Sequence, residues 1–299
     1  MTHTEAAPAS GAKKRTKKRS LFASMVYRFK KNKMAMFGLC LLMALVFLCA
    51  GASLFADYQE DAITQDVYNK YAAPSAEHIF GTDQYGRDIF ARIIFGGRIS
   101  LSVGVITVAM AMGVGIIIGS VAGYFGGWVD NVLMRIMDVF LAIPHLLMAV
   151  TIVAILGPSL INLLISMCVS SVPRCSRIVR SSILSVRGNE YVEAAQACGT
   201  STVRIIARHI IPNAIGPIIV QASLNVAQTI LTVASMSFIG LGIQSPQPEW
   251  GTMLSEGKSV MRYAPHLVII PGIAIIIAVM AINLIGDGLR DAFDPKMKN

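Results

Sequence analysis

The chain has 299 residues, 54% of them hydrophobic and only 14% charged, with a mean hydropathy of +0.61. A soluble domain carries roughly 25% charged residues, so these proportions exclude an ordinary soluble globule and point to lipid. The net charge of +9 sits at one end: residues 1–33 hold ten Lys and Arg against one acid, and the other 266 residues hold sixteen of each sign.

That basic tail, 1–33, admits two readings, nucleic-acid binding or membrane orientation. An apolar run begins at Met34, and Lys and Arg just before a span keep that end in the cytoplasm. Orientation is favoured, and no nucleic-acid partner is expected. The first span, 34–55, is long enough to cross a hydrocarbon core roughly 30 Å thick. It exceeds the apolar region of a signal peptide, although Ala50-Gly51-Ala52 is a possible cleavage triplet. Neither Cys40 nor Cys49 follows a small residue, which argues against a lipoprotein anchor.

Five more apolar runs predict helices at 99–123, 139–156, 159–173, 215–241 and 267–285. The fold class expected is therefore an all-α membrane protein of six transmembrane helices with both termini inside. The segments then placed inside carry twenty Lys and Arg and those placed outside carry six, a positive-inside asymmetry. Segment 56–98 becomes an extracytoplasmic insertion, 99–285 a five-helix core, and 286–299 a cytoplasmic tail. Cys168 falls inside the fourth span, and Cys175 and Cys198 fall in the basic loop. None lies in a segment placed outside and no C-x-x-C occurs, so free thiols are expected.

In the second span Gly115, Gly119, Gly123 and Gly127 recur every four residues. They lay bare backbone along one face and let another helix approach closely, in a moving contact or in static packing. The inside loop 173–214 reads as two short helices. Asn189 suits an N-cap, Glu190 the first turn, and Gly199 the position where φ turns positive after Tyr191–Cys198. Thr200 can cap a second helix that ends before Pro212. Ala194 and Ala195 give a face without bulk, suited to a groove on another protein or to an ordinary interfacial helix-turn-helix.

The fifth span carries a polar stripe, Gln221, Asn225, Gln228, Thr232 and Ser235, on one helix face. Unsatisfied amides facing lipid each cost several kcal/mol, so the stripe faces other helices or water. It serves either a translocation path or interhelical hydrogen bonding.

Gly251 with Gly257-Lys258-Ser259 imitates a P-loop, but the glycines are one residue too far apart, no strand precedes them, and the segment lies outside. Any ATP used is therefore expected to be hydrolysed by a partner. Six spans also fit a rhomboid-like intramembrane protease, for which Ser159 and His266 are the nearest nucleophile and base. Leu160 follows the serine where glycine is needed, and His266 stands at a span entrance after Pro265. His145 and His209 have no second ligand at helical spacing, so hydrogen bonding is expected of them and no metal site.

Residues 193–212, EAAQACGTSTVRIIARHIIP, resemble the cytoplasmic EAA loop of permease subunits of ABC importers. The wider chain is similar to the second permease of dipeptide and oligopeptide importers, a group that includes nickel and glutathione permeases. The match is carried by GTDQYGRDIFARIIFGGRISL at 81–101, GYFGGWVDNVLMRIMDVFLAIP at 123–144, PEWGTML at 248–254 and NLIGDGLRDAFDPK at 283–296. Ala91 departs from the serine common after GRDIF, and His209 stands where the broader pattern has an aliphatic residue. The resemblance implies that Glu193, Ala194, Ala195 and Gly199 form a coupling helix and turn against an ATPase subunit. It implies a type I importer in the inner membrane: a heterodimer with a homologous permease, two ATPase subunits using ATP and Mg, and an extracytoplasmic solute-binding protein. No cofactor and no catalysis are expected of this chain. Asp83, Arg87 and Asp88 are candidates for an outer docking surface or for a self-contained ion-paired cap. The cargo class implied is di- or oligopeptides, with nickel or glutathione as alternatives.

Overall fold

The structure, a computed structural model, describes residues 21–293; most of the basic tail and the last six residues lie outside them. Every regular element among the described residues is helical, apart from a lone antiparallel bridge between Thr82 and Asp88. Among the described residues four stretches are long and apolar enough to cross a membrane, and a bent pair makes a fifth if it counts as one span.

α1 (Leu21–Lys31) leads to α2 (Lys33–Ala50) through Asn32, whose Oδ1 accepts the N–H groups of Met34 and Ala35. The Asn32 amide also donates to Asp291 at 3.0 Å, which ties the start of the first expected span to the end of the last. That span breaks at Gly51 before the short α3 (Ala52–Phe55).

α4 (Ile89–Phe125) starts ten residues before the expected span 99–123. Its first turns, with Arg92 and Arg98, are too polar for an apolar window. Asp88 nevertheless caps the helix by accepting the Ala91 N–H at 2.9 Å, and the segment before it packs around this end.

After Gly126, α5 (Gly127–Leu141) and α6 (His145–Leu156) meet at a bend of 80°. The expected span 139–156 is therefore corrected, because it straddles this break. Apolar composition continues across Ala142–Pro144, but Pro144 cannot donate a helical hydrogen bond, and the chain turns there. Gly127 opens α5 with positive φ and nothing near its Cβ position, so it does not belong to the glycine stripe.

α7 (Leu160–Arg187) carries Pro173 inside it. The expectation that the fourth span ends at Pro173 is corrected, as is the placement of Cys175 in a loop: fourteen further residues are helical. Tertiary packing outweighs the missing N–H. A Cβ on Gly115 would lie 2.7 Å from Cys175 Cβ, one on Gly119 2.6 Å from the Ser176 carbonyl, and one on Gly123 2.9 Å from Ile183 Cβ. Those three glycines thus admit the backbone of α7 against α4, and the helix must continue to fill the groove. Gly119→Val should lower the thermal unfolding midpoint in detergent by the cost of overpacking, about 1–3 kcal/mol. Gly113→Val, with open space at its Cβ position, should leave the midpoint unchanged.

α8 (Glu190–Ala197) and α9 (Thr202–Ile205) follow, and a wide π turn at Ile206–Ile210 leads directly into α10 (Ile211–Phe238). α9 itself ends at Ile205, before Pro212 as expected, but the chain stays helical through Pro212 into α10, and the N-cap is Ser201 rather than Thr200. Pro212 offers no N–H to the turn before it; the wide turn absorbs this, and the Asn213 amide donates to the His209 carbonyl at 2.6 Å. The chain closes with α11 (Trp250–Gly257) and α12 (His266–Phe293). Glu249 caps α11: its carboxylate accepts the N–H groups of Gly251 and Thr252 and the Ser100 hydroxyl, which joins α11 to α4.

One buried cluster lies between α4, α7 and the α8–α10 segment around Val179, Ile183, Val192 and Ile205. Another lies at the opposite end of α4 around Ile89, Trp250 and Leu267.

Candidate functional site

The α8 turn is held by one buried anchor and leaves its other face open. Val192 is fully buried among Val179, Ile183, Ile205 and Ile210. The Gln196 amide donates to the Tyr124 hydroxyl at 3.2 Å, fastening α8 to the end of α4. With Val192 turned inward, Glu193 and Ala194 are exposed and Ala195 is half-buried against the cluster. Gly199 has φ +71 and is exposed. Its N–H donates to Gln196 O at 2.9 Å and that of Thr200 to Ala195 O at 3.1 Å, the paired bonds of a Schellman turn. Asn189 occupies the N-cap position, though its side chain makes no capping bond. The sequence reading missed Tyr191 and Val203, both exposed apolar side chains beside this turn. Their signal lies in the chain itself: large apolar residues on two short helices flanked by polar residues.

The polar stripe of α10 divides among cavities. Gln221 donates to Asn225 Oδ1 at 3.0 Å, and the Asn225 amide reaches Cys175 Sγ at 3.7 Å. Gln228 and Ser235 are exposed and Thr232 is buried. Thr232 and Ser235 turn their hydroxyls back to the carbonyls of Gln228 and Leu231. Asn225 and Gln228 line a small cavity with His145 and Arg174, while Gln228, Thr232 and Ser235 line a larger one with the same two residues. Gln221 lines a third, toward the α12 end. Each of the five stripe residues therefore makes an interhelical bond, lines a cavity, or does both.

At the other end, Asp83, Arg87, Arg92 and Glu256 form a buried ionic cluster. Arg87 Nε donates to Asp83 at 2.7 Å and its Nη2 to Glu256 at 3.0 Å. Arg92 reaches the same two carboxylates at 3.5 and 3.0 Å, and both guanidinium groups are wholly buried. Two cations and two anions neutralise one another where neither sign would tolerate isolation. The cluster joins the insertion, α4 and α11. Asp88, besides capping α4, pairs with His78 Nδ1 at 2.8 Å. Asp83 and Arg87 thus lie beneath the surface they shape. The match to Glu256 is invisible in sequence because nothing local announces it.

Ser159 caps α7, its hydroxyl accepting the Asn162 N–H at 3.1 Å. His266 Nε2 lies instead against Gly81, and no hydrogen bond joins the two among the described residues. His145 Nε2 bonds with the hydroxyls of Ser170 and Ser171 at 3.0 and 3.1 Å. Gly251 and Gly257, the imitation P-loop glycines, both sit within helix α11.

A helical bundle with an open, Schellman-closed helix is the geometry that the EAA resemblance implies, and the sequence signature described as "Binding-protein-dependent transport system inner membrane component" matches residues 115–299. The chain belongs to that family of transport permeases. A second signature, the N-terminal transmembrane domain of oligopeptide transport permease C, matches residues 20–74 of the permease. The permease is 47% identical to the dipeptide transport system permease protein of Alkalihalophilus pseudofirmus, over 91% of its own length and 89% of the relative's. It is 41% identical to the glutathione transport system permease protein of Pectobacterium atrosepticum, over 91% and 90% of the two chains. It is 39% identical to the oligopeptide transport system permease protein of Bacillus subtilis, over 100% and 97%. Among solved structures, the permease shares its fold with an inward-facing conformation of the MetNI methionine ABC transporter: TM-score 0.56, 16% identity, 68% of this chain and 97% of that one. An amino acid ABC transporter gives TM-score 0.52 and 17% identity over 66% and 91%.

Proposed function

We propose that the permease forms half of the path of an ABC importer for di- and oligopeptides, paired with a homologous permease and driven by two ATPase subunits through α8. The observation that carries this reading is the exposed Glu193-Ala194 face of a helix closed at Gly199 and anchored by Val192. A rigid helix presented on a single buried pin transmits a push to the cluster between α4, α7 and α10. Its free face stays available to a partner that spends the ATP with its Mg. The permease itself then does no chemistry. Peptide cargo is supported by the dipeptide and oligopeptide relatives; the glutathione relative, at 41% identity, supports a second reading in which the cargo is that small peptide-like thiol.

In this arrangement the chain crosses the inner membrane six times, with the α5–α6 pair as one broken span and α7 as another. The basic tail and α8 lie in the cytoplasm, consistent with the excess of Lys and Arg on that side. A solute-binding protein docks outside, on the surface built over the Asp83–Arg87–Glu256 cluster and the Asp88 cap. The stripe from Gln221 to Ser235 serves the path.

Proteoliposomes holding both permeases and the ATPases, supplied with binding protein and enclosed ATP, test the reading through uptake of labelled peptide. Gln228→Leu, at an exposed stripe position, should cut uptake at least severalfold while ATPase subunits still co-purify. Unchanged uptake kinetics would remove Gln228 from the path, and concentrative uptake by this chain alone would sink the whole assignment.

A further inference from the structure

α7 carries four arginines after Pro173, and three of them have protein partners. Arg177 pairs with Asp138 at 2.6 Å, Arg180 holds both carboxylate oxygens of Asp130, and Arg187 donates to the Gly123 carbonyl at 3.3 Å. Arg174 has neither an ion pair nor a hydrogen bond among the described residues. It lines both cavities beside α10, one of about 20 Å³ and one of about 260 Å³. Among the described residues no Asp or Glu lines either of them.

Arg174 is exposed, and its height along the bundle is what makes it informative. Val108 and Ala111, from the middle of the 37-residue α4, line the same small cavity. Arg174 therefore stands half-way along the bundle, where an ionised side chain is costly and marks a path for solutes. His145 shares both cavities, but its Nε2 is engaged with Ser170 and Ser171. The side-chain amide of Gln228, exposed in the same cavities, has no protein partner among the described residues. α6 begins at His145 behind Pro144, with no side-chain cap, so its first N–H groups face this region without intrahelical partners.

From this juxtaposition we infer that Arg174, with Gln228 beside it, is a station for the C-terminal carboxylate of a peptide in transit. The inference rests on the peptide-import reading above. A guanidinium fork matches a carboxylate through two parallel hydrogen bonds, and a neutral amide next to it offers a further donor. The carboxylate is the one anionic group that peptides of every sequence share, so a single arginine serves cargo of varied side chains. No acid lining the two cavities competes for it.

The test uses the complete transporter in proteoliposomes, with saturating binding protein, and compares uptake of trialanine with that of trialanine C-terminal amide. Any preference of the binding protein itself is common to all permease variants and cancels when they are compared. Arg174→Gln should reduce the preference for the free carboxylate by about tenfold or more, the range for a lost charge-assisted hydrogen bond. It should do so by slowing trialanine while leaving the amide within about twofold of its wild-type rate. Loss of both peptides by the same factor overturns the inference, as does normal uptake of both. If the Arg174→Gln complex fails to retain its ATPases, the same ratio is read in Arg174→Lys. There, a point charge without the planar fork should lower the preference about threefold, and an unchanged preference overturns the inference. A wild-type complex that imports no trialanine strikes the peptide reading rather than this site.

Discussion

Ala194→Arg is expected to reduce ATP-driven uptake about thirtyfold or more while leaving the fold intact. The residue is exposed on α8, so the substitution changes no buried contact, and exposed changes of this kind usually alter stability by no more than about 0.5 kcal/mol. At a docking helix the same change places a long charged side chain where the surface has no bulk. Disrupting a central anchor of an interface costs roughly 2 kcal/mol or more, which corresponds to a factor of about thirty in binding. Two measurements check this: co-purification of the ATPase subunits, which should fall, and the unfolding midpoint of the permease, which should not move. Gly199→Val provides the contrast. It forces a β-branched residue to φ +71 and costs roughly 1–2 kcal/mol in the turn itself, so it should lower uptake and the midpoint together. If Ala194→Arg leaves both uptake and co-purification at wild-type levels, α8 is not the handle.

The largest effect on stability is expected at Glu256. Its carboxylate accepts from both Arg87 and Arg92 at 3.0 Å, and Glu256→Ala would leave two fully buried guanidinium groups sharing Asp83 alone. Removing one partner of a buried pair costs about 3–5 kcal/mol, because the charge left behind has no water to return to. The permease should then unfold at a markedly lower temperature in detergent or fail to accumulate in the membrane. Asp138→Ala breaks the Arg177 pair, whose side chains are 56% and 41% exposed. Solvent screening holds that loss below about 1 kcal/mol. An equal fall in the two midpoints would show that the Glu256 cluster is solvated rather than buried.

These two cases show where the sequence is legible. The α8 turn is written in consecutive residues: a capping position at Asn189, helix formers to Cys198, and a glycine where φ must turn positive. Its Schellman bonds follow from that order, so the turn is legible in the run of residues alone. The polar stripe of α10 is legible for the same reason, since its period is a property of one helix. Glu256 is not legible as a partner of Arg87. The two lie 169 residues apart, and an acid in a polar outer segment looks the same whether it is solvated or buried. The helices expected over 99–123 and 159–173 are present as α4 and α7, and each runs well beyond the expected bounds. Helix ends there are set by the Asp88 cap and by the glycine groove that receives α7, while apolar composition reports only where lipid is.

The sequence alone determined that this is a helical chain suited to a membrane, at which end its charge lies, and where a short helix closes at a glycine turn. These follow from composition, period and turn chemistry, all of which are local. The tertiary structure alone decided that α5 and α6 bend apart at Pro144, that α7 runs on through Pro173, and that among the described residues Arg174 has no acid while Arg177 and Arg180 have theirs. Pairing and helix continuation depend on which distant surfaces meet, and that choice is made by packing energy summed over the whole bundle.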